Sequence, residues 1–322
     1  MKLSKLAIFV CVAVIVASLA GVAAAAQNLV IVSGNPGGTY YYIGAGMAKI
    51  LSDNLPGSSF TTEATTGSPV ENGTYTSESD ETLGMFTLDG AYAALQGDPS
   101  RGFRRPIDNI GLIQAGHDLI VYFMTIEGNG ITSLGDLRGK RVGLPVAGNT
   151  AYYQAIAVLE EYGLTEADYR GIFMTYAEQA DALKDGNLDV IVTGGGIPQA
   201  AAMDVAMTRN AVFLSIDEDK IPILQEKYPY WWISQIPANV YRGQPEAVNV
   251  FTSQVCLFAN LEMDEELAYQ ITKILGENTE ELREIHIEGG KWSTETTRRI
   301  YDNPVVPFHP GALRYYDELW KN

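Results

Sequence analysis

The chain has 322 residues, of which 46% are hydrophobic and 19% are charged, and this composition excludes an intrinsically disordered chain. Its 39 acidic and 22 basic residues give a formal net charge of −17, which argues against nucleic acid or an anionic membrane surface as the partner. The length allows one large domain or two domains of ordinary size.

Residues 1–26 have the pattern of a secretory signal peptide. Lys2 and Lys5 precede an apolar run over residues 6–20, and Ala24 and Ala26 supply the small residues of a cleavage site. An uncleaved membrane anchor is the alternative, but the run of about 15 residues is shorter than the roughly 20 needed to span a bilayer. We therefore expect cleavage after Ala26 and a soluble mature chain outside the cytoplasmic membrane.

The cysteine content predicts a fold without disulfides. The sequence has 2 Cys, and loss of the signal peptide would leave only Cys256. This residue lies in the apolar run Val255-Cys256-Leu257-Phe258, where a buried thiol packs as a small hydrophobic side chain. We therefore predict a buried Cys256 without a reactive role.

A repeated unit runs through much of the chain: an apolar strand-like run, a turn rich in Gly or Thr, and a helical pattern. The strand-like runs cover residues 29–33, 59–64, 83–87, 140–144, 172–176 and 188–193. Helical patterns follow at residues 41–55, from Pro69 onward, and at 89–95, 150–162, 178–184 and 198–207. Because this alternation is typical of parallel sheets flanked by helices, we predict an α/β fold with mainly parallel sheets.

The pattern changes after residue 237, and this predicts a chain that passes twice between two lobes. Residues 110–125 and 238–258 have the apolar pattern of long crossover strands, which we interpret as the hinge. The remainder is mainly helical. The predicted lobe I consists of residues 27–117 and 238–322, and the predicted lobe II consists of residues 118–237.

The turns between strand-like runs and helices form the candidate ligand site. In open α/β sheets, ligands bind beyond the carboxyl ends of the strands, where turns lead into helices. Glycine allows the backbone to approach a ligand closely, and the free N–H groups at a helix start attract negative charge. Several such turns in one chain therefore predict a site for a small molecule that carries a carboxylate.

The candidate ligand-binding residues come from these turns and from the crossover. Those in or beside the turns are Gly37, Gly38, Thr39, Tyr40, Gly67, Ser68, Asp89, Tyr92, Asn149, Thr150, Gly194, Gly195 and Gly196. Asp89 either caps its own helix or accepts a hydrogen bond from an ammonium or hydroxyl group of the ligand. His117 is a further candidate because it falls at the predicted crossover. The aromatic residues 228–232 are expected to pack within the lobes.

Catalysis and metal binding are not indicated. No phosphate-loop lysine follows Gly37-Gly38-Thr39, and the sequence has no Gly-x-Ser-x-Gly elbow, HExxH motif or metal-spaced Cys/His set. Of the 3 His, His286 is expected to face solvent, and His309 is expected to cap a helix or contact the other lobe. An enzyme with Asp89 and His117 as acid–base partners remains the alternative.

The order of these motifs resembles the TAXI-type solute-binding subunits of TRAP transporters over residues 28–321. The resemblance rests on Gly37-Gly38-Thr39-Tyr40-Tyr41-x-Ile43-Gly44, Thr66-Gly67-Ser68-Pro69-Val70-Glu71-Asn72, Asp89 with Ala91-Tyr92, Asp136-Leu137-Arg138-Gly139-Lys140-Arg141-Val142, and His309-Pro310-Gly311-Ala312. The first and last motifs are together the most specific, because other periplasmic binding proteins share the Asp-Leu-Arg-Gly-Lys stretch.

The resemblance implies a periplasmic receptor without catalytic activity or cofactor. Its fold would be the two-lobed, type II-like fold of periplasmic binding proteins, with a hinge between the lobes. It would act as a monomer, close around a glutamate-like or other carboxylate solute, and deliver it to TRAP membrane subunits driven by an ion gradient. The same fold serves receptors of ABC importers and sensor kinases, which are the alternative function.

The sequence departs from the family pattern at three of the turns. Pro69 follows Gly67-Ser68, where the family usually has two glycines before Ser-Val-Glu-Asn. Leu88 stands where Ser or Thr is usual, and Asn149 stands where Ser is frequent. Because these residues border the predicted pocket, the solute can differ from glutamate.

Overall fold

The structure is a computed structural model, and it describes residues 27–34, 39–145 and 149–321. The elements up to the first crossover are β1 (Gln27–Val32), α1 (Thr39–Asn54), β2 (Ser58–Glu63), α2 (Pro69–Glu78), β3 (Thr82–Thr87), α3 (Leu88–Gln96) and β4 (Ile110–Ile126). They are followed by β5 (Arg141–Leu144), α4 (Thr150–Glu161), β6 (Arg170–Phe173), α5 (Tyr176–Lys184), β7 (Val190–Gly195), α6 (Ala200–Thr208), β8 (Ala211–Phe213), α7 (Ile221–Lys227) and β9 (Trp232–Ile236). The chain returns through β10 (Val248–Asn260) and continues in α8 (Glu265–Glu277), α9 (Thr279–Ile285), α10 (Thr294–Asp302) and α11 (Pro310–Trp320).

Some predicted features lie outside the described residues. They are the signal peptide, residues 1–26, and two residues of the first turn, Gly37 and Gly38. In the part of the chain that the structure describes, no helix is long and apolar enough to cross a membrane.

Local sequence sets the ends of two helices as predicted. Pro69 is the first residue of α2, where its missing N–H leaves no helical hydrogen bond unmade, and the Ser68 side chain caps the helix by accepting a bond from the Val70 N–H. Gly163, with a φ of +70°, stands just beyond α4. Only glycine adopts this left-handed conformation without steric cost, so it stops the helix.

The strands form a ten-stranded sheet with the order β2-β1-β3-β10-β4-β7-β5-β6, in which β8 pairs with β4 and β9 pairs with β10. In lobe I, β1 is parallel to β2 and β3. In lobe II, β5 is parallel to β6 and β7. The crossover strand β10 is antiparallel to β3 and β4, and β4 is antiparallel to β7. Both halves of the sheet thus contain three neighbouring parallel strands, which confirms the predicted α/β class.

The two crossover strands connect the halves of the sheet. β4 is one continuous strand that includes the polar residues between its two apolar runs. For the second crossover, the sequence predicts a strand over residues 238–258, whereas β10 begins at Val248. The preceding residues turn because Asn239 and Gly243 have positive φ values of 65° and 82°, and Pro245 has no N–H for a strand ladder.

Each half of the sheet carries a hydrophobic cluster on each face. In lobe II, Ile120 and Tyr122 of β4 pack on one face, whereas Val121 and Phe123 pack on the other, as the alternation of a strand requires. In lobe I, the cluster on one face includes Cys256, which is fully buried as predicted. The exact lobe bounds at residues 117 and 237 stay a prediction.

Candidate functional site

The N-termini of α3 and α4 meet at the boundary between the lobes. Thr87 precedes α3 and Thr150 begins α4, and their hydroxyl oxygens lie 3.1 Å apart with both side chains buried. Asn149 caps α4, since its Oδ1 accepts a hydrogen bond of 2.9 Å from the Ala151 N–H. Because the first N–H groups of a helix have no partner within the helix, this boundary concentrates partial positive charge.

Asp89, in the first turn of α3, is fully buried and has two protein partners. Its Oδ2 accepts a hydrogen bond of 2.6 Å from Arg101 Nη2, and its Oδ1 accepts one of 2.6 Å from Ser253 Oγ on β10. The carboxylate therefore holds an ion pair and a hydroxyl group instead of the helix cap that the sequence suggests. Removing either partner of a buried ion pair leaves a buried charge, so this arrangement fixes both side chains.

Arg101 extends the ion pair across the lobe boundary. It ends a short 3₁₀ helix, Pro99–Arg101, and its side chain is 10% exposed. The guanidinium carbon lies 4.3 Å from the ring centre of Tyr153 on α4, which is a cation–π contact. No turn or motif of the sequence predicts Arg101 as a site residue. The signal that could have found it is a group of basic residues, Arg101, Arg104 and Arg105, just after α3 in a strongly acidic chain.

A pair of tyrosines lies near Arg101. The rings of Tyr92 on α3 and Tyr230 on the α7–β9 connection have centres 4.8 Å apart. Burial raises the pKa of Tyr230 to about 12, and the positive charge of Arg101 acts against this shift. The neighbouring rings of Tyr228 and Trp231 pack with one another in the core of lobe II, as predicted for the aromatic segment.

His117 is buried between two aromatic rings. Its ring centre lies 5.7 Å from that of Tyr40 and 5.9 Å from that of Trp292. The Trp292 Nε1–H donates a hydrogen bond of 3.1 Å to His117 Nδ1. Burial lowers the pKa of His117 to about 3, with smaller contributions from Lys291 and His286 in the same direction, so the imidazole is neutral at ordinary pH.

The acid–base pair considered as the enzymatic alternative is not assembled in the described residues. Asp89 bonds to Arg101 and Ser253, whereas His117 bonds to Trp292. Within the same part of the chain, no group of His, Cys, Asp or Glu side chains is placed to hold a metal ion.

The other two histidines have local roles. His309 caps α11, since its Nδ1 accepts a hydrogen bond of 3.2 Å from the Gly311 N–H, which confirms the predicted cap. The sequence predicts a solvent-facing His286, but this residue is half-buried. Its ring stacks on that of Tyr42 with 6.3 Å between the centres.

The turn between β2 and α2, which contains Gly67, lies against the start of α1. Gly67 has a φ of +74°, and a β-carbon at this position would lie 3.6 Å from the ring of Tyr40. Asn72, in the α2 helix just after this turn, helps to hold it in place. Its Nδ2 donates hydrogen bonds of 2.7 Å to the carbonyl oxygens of Ser33 and Met85. This buried amide therefore ties the end of β1 and the middle of β3 to α2, the helix that follows the turn.

The glycine turn after β7 allows two close approaches. A β-carbon at Gly194 would lie 2.7 Å from the β-carbon of Ala151 and 2.9 Å from Tyr176 Oη, so glycine is needed for α4 to pack here. A β-carbon at Gly196 would lie 2.9 Å from Glu288 Oε1, and Glu288 belongs to the 3₁₀ helix Ile287–Lys291 of lobe I. Gly196 is therefore a point where the lobes come into contact.

A polar cavity of about 210 Å³ lies beside the crossover strands. Its lining includes Asp118, Lys291 and Arg299. Burial raises the pKa of Asp118, and the positive charges of Lys291 and Arg299 act in the opposite direction. Arg299 also lies over the ring of Trp232, with 4.5 Å between the guanidinium carbon and the ring centre.

The structure thus places most of the predicted residues around one boundary between the lobes. Those in contact with a residue of another turn or of the other lobe are Tyr40, Gly67, Tyr92, Thr150, Gly194 and Gly196, and Asp89 reaches lobe II through Arg101. Thr39, Ser68, Asn149 and Gly195 lie in the adjoining helix starts and turn. Whether these residues contact a ligand stays a prediction.

Comparison with known proteins gives a family and a fold. The model of the NMT1-like family matches residues 31–319 of the chain. Among solved structures, a TctC solute-binding protein from Polaromonas is 13% identical with a TM-score of 0.54, and the match covers 92% of this chain and 98% of that chain.

Two further structures come from Rhodopseudomonas palustris. MatC with bound malate is 14% identical with a TM-score of 0.53, and the match covers 90% of this chain and 98% of that chain. A protein with adipate is 16% identical with a TM-score of 0.53, and the match covers 92% of this chain and 96% of that chain. At these identities the likeness concerns the fold alone, and it confirms the predicted two-lobed architecture.

Proposed function

Because the chain belongs to the NMT1-like family and has the two-lobed fold of periplasmic solute-binding proteins, we propose that it is a periplasmic receptor for a small carboxylate-bearing solute. The observation that carries this proposal is the meeting of the α3 and α4 N-termini beside Arg101. Helix N-termini and a guanidinium group are the donors that bind carboxylates in proteins. The malate bound by MatC and the adipate in the other Rhodopseudomonas palustris structure make dicarboxylates the first solutes to test.

Binding would proceed by closure of the two lobes about β4 and β10. The contacts that join the lobes in this structure, and that opening would break, are the Thr87–Thr150 hydroxyl pair, the Arg101–Tyr153 contact and the Tyr92–Tyr230 ring pair. Each joins a residue of the predicted lobe I to one of the predicted lobe II, and each involves a single pair of side chains. A ligand held between the lobes would therefore shift the population toward the closed state.

The proposed membrane partner is a TRAP transporter of the TAXI type, because the sequence motifs resemble those receptors. In this role the protein delivers the solute and performs no chemistry on it. Solute uptake that depends on this receptor should then require an ion gradient and no ATP hydrolysis by the transporter, whereas ATP-driven uptake would assign the receptor to an ABC importer.

The first test is a thermal-shift screen of the mature protein against L-malate, adipate, glutarate and L-glutamate. A ligand that binds only the folded state raises the melting temperature, by an amount that grows with concentration above Kd. At least one acid should raise it, and the same acid should reduce the radius of gyration measured by small-angle scattering. Uncharged alcohols of similar size are the control. A protein that responds to none of these acids, or binds one without compaction, would contradict the proposal.

A leucine at position 196 should weaken binding by obstructing closure. A β-carbon here would already lie 2.9 Å from Glu288 Oε1, so the longer side chain would press against the 3₁₀ helix of lobe I. We expect Gly196→Leu to lower the affinity for the acid found in the screen at least tenfold, measured by calorimetry. The melting temperature without ligand should stay nearly unchanged, because opening of the lobes moves residue 196 away from Glu288. Ala177→Leu on the exposed face of α5 is the matched control, and equal affinities in the two variants would contradict the closure geometry.

A further inference from the structure

We infer that this receptor selects acids that carry no ammonium group, and that Arg101 holds the carboxylate of the solute. The inference rests on the proposed function and narrows its solute class. It separates hydroxy acids and unsubstituted dicarboxylic acids from amino acids, which the family resemblance leaves together.

The buried acids of the described residues already have cationic partners. Asp89 and Glu288 are the buried carboxylates. Asp89 is paired with Arg101 at 2.6 Å, and Glu288 is paired with Lys291 at 3.2 Å. An ammonium group bound at the lobe boundary would have to share one of these carboxylates with a cation that is already present, and like charges held close together repel each other.

Two less buried acids near the boundary also have cationic or hydrogen-bonding neighbours. Asp118 is half-buried and faces Lys291 and Arg299 in the cavity beside the crossover strands. Glu71, next to the second turn, accepts hydrogen bonds from both the backbone N–H and the hydroxyl group of Thr66. Asp118 thus faces cations, as the two buried acids do, whereas the partners of Glu71 are neutral. An ammonium group that approaches Asp89, Glu288 or Asp118 would therefore compete with a cation that is already near the acid.

Arg101 has donors to spare for an anion. A guanidinium group carries five N–H donors, and among the described residues that of Arg101 makes one side-chain hydrogen bond, to Asp89. Its side chain is nine-tenths buried and its flat face lies against Tyr153, so a carboxylate could meet this group only at its edge, where the N–H groups of a planar guanidinium lie. The edge is the part of an arginine that binds a carboxylate with two parallel hydrogen bonds.

The local charge balance favours the same class of solute. Asp89 and Arg101 cancel each other, which leaves the partial positive charges at the starts of α3 and α4 as the local field. That field stabilises an added carboxylate and repels an added ammonium group. A hydroxyl group, in contrast, can be accommodated because Thr87 and Thr150 can both donate and accept hydrogen bonds.

The test compares L-malate with L-aspartate, which differ by a hydroxyl group in place of an ammonium group. Calorimetry on the mature wild-type protein should give at least tenfold tighter binding of L-malate. The same comparison with 2-hydroxyglutarate and L-glutamate covers a longer solute. If the amino acid of either pair binds as tightly as its hydroxy acid, or more tightly, this inference is overturned and the proposed function still stands. Failure of all four acids, together with the adipate and glutarate of the thermal-shift screen, would overturn both.

Variants of the ion pair test the role assigned to Arg101. Arg101→Gln frees Asp89, so the ratio of hydroxy-acid to amino-acid affinity should fall at least tenfold. Asp89→Asn keeps the guanidinium and removes the acid, so the preference should persist or widen. Because Arg101→Gln leaves a buried charge that can impair folding, Asp89→Asn/Arg101→Gln removes both charges and should also lose the preference. Arg104→Gln, an exposed arginine nearby, is the control. An unchanged ratio in the folded Arg101 variants would overturn the assignment, since a structural role alone does not alter a ratio of affinities.

Discussion

Acidification from pH 7 to pH 4 should lower the free energy of unfolding by about 3 kcal/mol through His117 alone. Burial lowers the pKa of this imidazole from 6.5 to about 3 in the folded protein. The folded state therefore holds the neutral form, and the unfolded chain takes up a proton first as the pH falls. The stabilisation is fully present above pH 6.5 and is lost progressively between pH 6.5 and pH 3, the interval between the unfolded and folded pKa values.

A His117→Asn variant isolates this effect from the titration of the many carboxylates. The asparagine Oδ1 can take the place of Nδ1 as acceptor for the Trp292 indole N–H, but the amide does not titrate in this range. Urea unfolding at pH 7, 5 and 4 should show a steeper loss of stability for the wild type than for the variant. If both proteins lost the same stability over this interval, the buried neutral state of His117 would be incorrect.

The α/β units could be predicted because buried parallel strands read as continuous apolar runs. The predicted runs at 83–87 and 188–193 correspond to β3 and β7, which are buried along almost their whole length. The sequence patterns do not predict the short strands β8 and β9. They lie at the margin of the sheet with several half-buried residues, and so their sequences carry neither a continuous apolar run nor a strict alternation.

The site could be predicted only as far as it depends on local sequence. Strand-to-helix turns are recognisable because glycine and helix-capping residues have fixed local roles, as at Gly67, Ser68 and Asn149. The partners of Asp89 are not local: Ser253 lies 164 positions away and arrives only through the pairing of β10 with β3 and β4. A carboxylate that looks available in sequence is therefore already bonded in the fold.

The same limit explains why the interpretation of the solute changes. From sequence alone, Asp89 is a candidate partner for an ammonium group. The ion pair with Arg101 favours the other reading that we infer above, because Asp89 then already faces a guanidinium group. The charge around Asp89 thus depends on one contact between a helix and a 3₁₀ helix, which no local pattern specifies.

Replacement of Trp292 by alanine should lower the free energy of unfolding by about 3–5 kcal/mol, the usual cost of truncating a fully buried tryptophan. Its side chain has an exposure of 0% and is among the largest fully buried side chains of the described residues. A β-carbon at Gly116 would lie 2.0 Å from the Trp292 ring, so the indole lies flat on the backbone of β4. The alanine variant would leave a large cavity beside a crossover strand, and it would also leave His117 Nδ1 without its donor.

Trp292→Phe separates these two contributions. The phenyl ring retains much of the packing on Gly116 but has no N–H for His117, so its cost should be clearly smaller than that of alanine. Denaturant titrations at pH 7 give both values, and Trp320→Ala, at a half-buried tryptophan of α11, is the comparison for a less buried ring. If Trp292→Ala cost no more than Trp320→Ala, the packing of the indole against the crossover strand would not be a principal source of stability. A large loss for both Trp292 variants would instead show that most of the stabilisation comes from what phenylalanine lacks. That is the hydrogen bond to His117 together with the remaining part of the indole ring.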